Sequence, residues 1–263
     1  MRLYLAIIVI IFSLTSCTIK ERIVFKEDGT GKFLMSYDMG GAFKQMKGAF
    51  SEGVSNDTIK NKKQGKVVDT TMVFKDMMVQ FKDSIAQLSE EKQLAMQMVK
   101  DMFMTMKVNE DENVFSFGIG MDFPSVNDLV GIQEKLEKAK SLNAQNDQVG
   151  AMKKASPIGK FMENDKNEVN YDLTDKVFSR LTTINETPNE EDATFDESDN
   201  QFIDYFKESY YIVEYTFPKK IKSHTAKDAS LSADKKTITY KAGWVDFIKS
   251  PNALDINIQF EDE

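Results

Sequence analysis

Cysteine and histidine are almost missing from this chain, with one of each, Cys17 and His224, in 263 residues. A single cysteine excludes an internal disulfide, a multi-thiolate zinc site and an iron–sulfur cluster. A single histidine excludes any site built on several imidazoles. Positive charge is also in deficit. Lys and Arg number 34 against 42 Asp and Glu, a formal charge of −8, which argues against nucleic acid as a partner and against broad contact with anionic lipid heads. No G-x-S-x-G elbow, G-x-x-x-x-G-K-[ST] loop or G-x-G-x-x-G turn occurs. Long apolar runs are absent too, apart from residues 3–14 (LYLAIIVIIFSL). At helical rise such a run reaches roughly 18 Å, short of a hydrocarbon core of ~30 Å, so it fits a signal segment better than a spanning helix.

What is present supports a folded body. Hydrophobic residues make up 41% and charged residues 29%, enough to build a core. Arg2, the apolar run and the small residues Thr15 and Ser16 follow the order of a secretory signal. The sequence Leu14-Thr15-Ser16-Cys17 resembles the lipobox of bacterial lipoproteins. The resemblance implies cleavage between Ser16 and Cys17, a lipid on Cys17, and a mature chain held outside the cytoplasm. Acylation would consume the single thiol. Thr18 follows Cys17, so the aspartate of an inner-membrane retention signal is absent, and the outer membrane is favoured over the inner.

The pattern along the chain predicts α+β, with a mostly antiparallel sheet built from hairpins and packed with Met-rich amphipathic helices. Residues 1–16 read as the signal peptide, 17–140 as an N-terminal α+β region and 141–167 as a linker or mobile excursion. Residues 168–263 read as a C-terminal β-rich region able to complete the same domain. Strands are expected at 19–25, 33–39, 106–109, 114–123, 168–173, 210–217, 237–242 and 254–260, with an extended segment at 65–74. Asp28-Gly29 supplies the first turn. Phe74, Met77, Met78, Phe81, Ile85 and Leu88 follow helical spacing, and a second helix is predicted from the cap Ser89 to about Met104. A third is predicted from Pro124 to about Ala139, a helical turn from Thr174 to Leu181, and a helix at 201–208. Residues 24–43 and 108–126 share a strand, Glu-Asp turn and strand order; duplication and ordinary hairpin composition both account for it.

Several residue groups are candidates for chemistry. Met72, Met77, Met78, Met96, Met98, Met102, Met104 and Met106 crowd one stretch, where thioethers fill irregular core space, form an adaptable groove or bind Cu(I). The groove candidate is Met77, Met78, Phe81, Met98 and Met102. The acidic stretch 185–200 offers oxygens from Asp192, Asp196, Glu197 and Asp199 but lacks calcium-loop spacing. Asp38 and Asp122 end apolar strands and read as helix caps. His224 reads as a surface residue. Trp244, Phe247, Tyr205, Tyr210, Tyr211 and Tyr215 would serve a sugar-stacking face only if they shared one side of the sheet. No metal and no cofactor are expected.

The lipobox, the strand–EDGTG–strand opening at Ile23–Tyr37, the segment Asp69–Phe74 and Ser84–Glu91 together resemble envelope lipoproteins of Bacteroidetes type. That resemblance implies a lipid-anchored envelope protein and brings no catalytic residues. The opening hairpin and the hairpin after Pro218 are also similar in pattern to the LppM-type lipoprotein domain, from which no residue role carries over. The function expected is a non-catalytic interaction or assembly module with an envelope protein partner. The alternative is a carrier sheltering an apolar ligand between the Met-rich helices and the sheet. A carboxylate hydrolase is disfavoured, because no motif marks an acid in an apolar pocket.

Overall fold

Alternation of apolar and polar residues sets the architecture. A computed structural model describes residues 18–38, 40, 67–109, 111–129, 131–132, 134–136, 167–184 and 207–262. The larger sheet has eight strands: β1 (Thr18–Phe25), β2 (Gly31–Asp38), β3 (Val67–Val73), β4 (Met102–Asn109), β5 (Val114–Phe123), β8 (Tyr210–Thr216), β10 (Ser230–Leu231) and β11 (Thr237–Gly243). Their order is β10-β11-β8-β1-β2-β5-β4-β3. Every neighbouring pair is antiparallel except β1 with β8, which is parallel. The smaller sheet is antiparallel, with β6 (Asn167–Leu173), β7 (Val177–Ile184), β9 (Ile221–His224) and β12 (Ile256–Phe260) in the order β6-β7-β12-β9.

Register shows how the pleat sorts side chains. Ile238, Tyr215, Ile23, Phe33, Met121 and Met102 stand opposite one another across six adjacent strands. All six are buried. The smaller sheet turns Tyr171, Phe178, Arg180, Ile256 and Ile258 inward. Phe178 bridges the layers, its ring 5.4 Å from Phe25, 5.3 Å from Tyr215 and 5.1 Å from Phe217. The hydrophobic core therefore lies between the two sheets. Residues far apart in sequence close it: β8, from the C-terminal half, inserts directly beside β1.

The first hairpin turns as its sequence demands. Gly29 adopts φ 78°, the left-handed region that glycine enters freely. Asp28 Oδ1 accepts from Thr30 N at 3.0 Å. In the β4–β5 turn Asn113 takes φ 53°, and Asn109 Oδ1 accepts from Asp111 N at 3.1 Å.

The helical expectations require correction. The Phe74–Leu88 pattern divides into α1 (Phe74–Gln80) and α2 (Lys82–Ile85). The helix capped at Ser89 is α3 (Glu90–Met98), and no side-chain bond forms at the cap. It does not continue to Met104: β4 starts at Met102, so the strand is longer than the 106–109 expected. The stretch Met102–Lys107 (MFMTMK) also alternates with period two, and pairing to β3 on one side and β5 on the other selects that reading. Met72, Met102, Met104 and Met106 consequently stand on strands, while Met77, Met78, Met96 and Met98 stand on helices. The sheet dominates, and the Met-rich segment is not helical throughout.

Three more differences concern short elements. Thr174 shapes the β6–β7 turn, its Oγ1 accepting from Val177 N at 3.0 Å, so the residues expected to be helical up to Leu181 form strand β7. After Pro124 the chain makes a 3-10 turn, Val126–Leu129, before helical residues at 134–136. Strand β9 and helix α4 (Trp244–Lys249) were not expected from the pattern. The signal segment, Cys17, nearly all of the 141–167 linker, the acidic stretch 185–200 and residues 201–206 lie outside the described residues.

Candidate functional site

Two features stand out: a buried polar cluster between the sheets and an apolar surface beside β3. The cluster centres on Glu21 of β1. Its inward position is set by the same alternation that buries Ile23 and Phe25. Three phenols donate to its carboxylate: Tyr171 from β6 at 2.9 Å, Tyr211 from β8 at 2.8 Å, and Tyr215 from β8. Arg180 of β7 lies alongside, Nε 3.6 Å from Glu21 Oε1. That approach is an ion pair without a hydrogen bond, since Nε lacks a bonded partner among the described residues. The guanidinium continues through Nη1 to Asp255 at 3.3 Å. Asp255 in turn accepts from Thr182 N at 2.9 Å and from Thr182 Oγ1 at 2.7 Å.

Electrostatics follow from this burial. Glu21 and Arg180 are each 1% exposed and Tyr215 0%. Burial first, and the Glu21 charge second, hold Tyr171, Tyr211 and Tyr215 well above a phenol's ordinary pKa. Tyr240, whose hydroxyl donates to Leu254 O at 2.8 Å, is pushed up chiefly by burial. Burial also weighs most on Arg180, lowering its pKa, yet the Glu21 charge and the surrounding phenols carry it well above the ordinary value. The phenols are thus neutral donors, the guanidinium is charged, and Glu21 spends its oxygens on protein partners. This cluster ties one sheet to the other and offers no face to a substrate.

The second feature is exposed. Of the eleven large hydrophobic residues exposed among the described residues, eight fall between residues 67 and 106: Val67, Met72, Val73, Val79, Phe81, Leu94, Met98 and Met106. Exposure reaches 75% at Val79 and 67% at Leu94. All eight belong to the continuous β3–α1–α2–α3–β4 segment or the residue joining its helices, and α1 packs on β3 and β4. A depression of about 340 Å³ on α3 is lined by Glu90, Gln93, Leu94 and Gln97.

The five expected groove residues do not share one environment. Met102 is core, 1% exposed, opposite Met121. Met77 packs against the core and Met78 is half-buried, whereas Phe81 and Met98 are exposed. None of them lines the α3 depression, whose four lining residues all belong to α3. Sequence reasoning missed Glu21 and Arg180. A charged residue at the inward phase of β1 was the available signal.

The other candidates separate. Asp38 and Asp122 stand at opposite ends of the β2–β5 pair, opposite Ser116 and Lys32. Six residues of strand between them span about 20 Å, too far for a carboxylate pair acting on one bond. Tyr211, Tyr215 and Trp244 are buried, whereas Tyr210 carries the Lys241 ammonium 3.7 Å from its ring centre; these aromatics do not form one stacking face. His224 closes β9 half-buried, its Nδ1 without a partner among the described residues. Tyr205 and the acids of 185–200 lie outside the described residues, as does the lipidation site Cys17 with Ser16. Among the described residues there is no cluster of three metal-ligating His, Cys, Asp or Glu, and no helix long and apolar enough to cross a membrane.

No protein-family model and no curated protein sequence matches the chain. The likeness to Bacteroidetes-type lipoproteins therefore rests on the sequence motifs. Among solved structures, the chain is similar to the folded domain of the LppM protein of Mycobacterium tuberculosis, determined by NMR, with 6% identity over 95% of this chain and 92% of that one. The TM-score is 0.35, a distant likeness that assigns no function.

Proposed function

We propose that this chain is a lipid-anchored envelope protein whose body acts as a non-catalytic interaction or assembly module. The observation that carries the reading is the concentration of exposed apolar side chains in the β3–β4 segment. Exposed apolar area gathered in one region of a folded protein marks an interaction surface. Elsewhere among the described residues the exposed large hydrophobics are Leu181, Ile184 and Leu231, and the chain's charge of −8 suits partners met through apolar contact more than through acidic ones.

The lipid follows from the lipobox and places the body at the membrane. Two or three acyl chains make detachment rare, because each buried CH₂ contributes about 0.8 kcal/mol. The residue after Cys17 favours the outer membrane as the address. Strand β1 begins at Thr18, so the tether enters the larger sheet without a spacer.

A photo-crosslinking amino acid placed at Phe81 tests the proposal in intact cells. Phe81 is exposed on the apolar segment, and Lys227, exposed elsewhere, is the control. Protein adducts from position 81 and none from 227 are expected. Equal labelling at both positions, or none at either, overturns the interaction surface.

A further inference from the structure

A sheet edge presents unpaired backbone groups to which another strand can add. Four strands are edges among the described residues: β10, β3, β6 and β9. Three of them are poorly suited to pairing. β10 has two residues, and β9 has four including Lys222. β6 carries Glu168 and Asp172 and packs against the 3-10 turn Val126–Leu129. β3 differs: it runs seven residues, VVDTTMV, without proline, and six of the seven are exposed. Its one charge, Asp69, stands opposite Lys107 of β4.

We propose that β3 is the seam of a homodimer, in which two copies pair antiparallel about a two-fold axis at Thr70 and join their larger sheets into one. The occupant is a second copy because the strand complements itself. Turned about Thr70, VVDTTMV sets Val67 opposite Val73 of the second copy, Val68 opposite Met72, Asp69 opposite Thr71, and Thr70 opposite Thr70. All but Asp69–Thr71, in which the hydroxyl can donate to the carboxylate, are β-branched, apolar or hydroxyl pairs of the kind that stabilises antiparallel strands. The two acids avoid each other, and each keeps its own Lys107.

Other registers fail on charge or on facing. Re-centring on Asp69 puts the two carboxylates face to face. Re-centring on Thr71 sets Asp69 against Val73 and loses two of the seven pairs. A slip of one residue turns the second copy's inner face to the opposite side of the sheet. The Thr70 arrangement is isologous and closes at two copies.

The inference rests on the interaction-module reading and names its partner. Full-length chains carrying Thr70→Cys, in membranes, test it by mild oxidation and non-reducing electrophoresis. The unsubstituted chain, with Cys17 as its single cysteine, gives the background. Thr70→Cys should yield disulfide-linked dimer several-fold above that background. Asp69→Cys alone should not, whereas Asp69→Cys co-expressed with Thr71→Cys should. Thr70→Lys, which sets two ammonium groups face to face across the seam, should convert dimer to monomer in sedimentation and abolish the dependence of the unfolding midpoint on protein concentration. A monomer before substitution, or crosslinking of Thr70→Cys to a different protein, overturns the self-pairing. Loss of crosslinking leaves the apolar-surface reading intact, because Phe81 photo-adducts report that separately.

Discussion

Arg180 stands 3.6 Å from Glu21 between the two sheets, and solvent reaches neither side chain. Removing one member of a buried ion pair strands the other, at about 3–5 kcal/mol. Arg180→Met is expected to lower unfolding stability by roughly that amount. Glu21→Leu should cost more, since it deprives the guanidinium and three phenols at once. Urea midpoints measure both. A loss under about 1 kcal/mol for either would mean that the pair is solvated, because exposed pairs are worth no more than that.

Alkaline pH should dismantle the same cluster. In the unfolded chain Tyr171, Tyr211 and Tyr215 ionise near 10, while the folded state holds them protonated well above that. Above about 10 the native state therefore binds more protons than the unfolded one, and stability falls as pH rises. With Tyr240, raised as well, four of the eight tyrosines belong to this set. Their phenolate absorbance is expected to appear together with the loss of sheet circular dichroism. Smooth titration of all tyrosines before unfolding would contradict it.

The strands were legible because their alternation is local. Val114–Phe123 and Tyr210–Thr216 carry period-two patterns that the sheet needs on its inner face. The sheet order was not legible, because the parallel pairing of β1 with β8 joins Thr18 to Tyr210 across most of the chain. Met102–Lys107 satisfies both helix and strand periods over a short span, and only β3 and β5 on either side decide between them. Of the five expected groove residues, Phe81 and Met98 belong to the exposed apolar surface, whereas Met77 packs against the core and Met78 is half-buried. Burial of Met102 removed it from that set, a consequence of the sheet pairing that local spacing does not carry.

Gly120 and Gly29 are glycines for different reasons, and substitution should separate them. A Cβ at Gly120 would lie 2.5 Å from Phe103 Cζ and 2.5 Å from Phe33 O. Phe103 is itself fixed under the Lys32 ammonium, 4.4 Å from its ring centre. At Gly29 nothing lies within 4 Å, but φ is 78°. Gly120→Ala should cost about 1–3 kcal/mol through overpacking. Gly29→Ala should cost about 1–2 kcal/mol through its backbone angle. Asparagine, tolerant of positive φ, should recover much of the loss at position 29 and none at 120. Equal behaviour at both sites in thermal unfolding would refute this distinction.

The tether should hold one end of the larger sheet at the bilayer. Thr18 stands opposite Tyr210, and Tyr210 opposite Gly243, so Gly243 lies two strands, about 10 Å, from the start of β1. Trp244, the single tryptophan, follows directly. With a lipid on Cys17, Trp244 should transfer excitation efficiently to dansyl-labelled lipid heads. Ten flexible residues inserted between Cys17 and Thr18 add a mean reach of about 17 Å and should weaken the transfer while the protein stays in the membrane fraction. Cys17→Ala should release the protein from membranes and abolish the transfer. Retention of that variant in the membrane would instead assign anchoring to the apolar run at residues 3–14 and remove the lipid from the proposal.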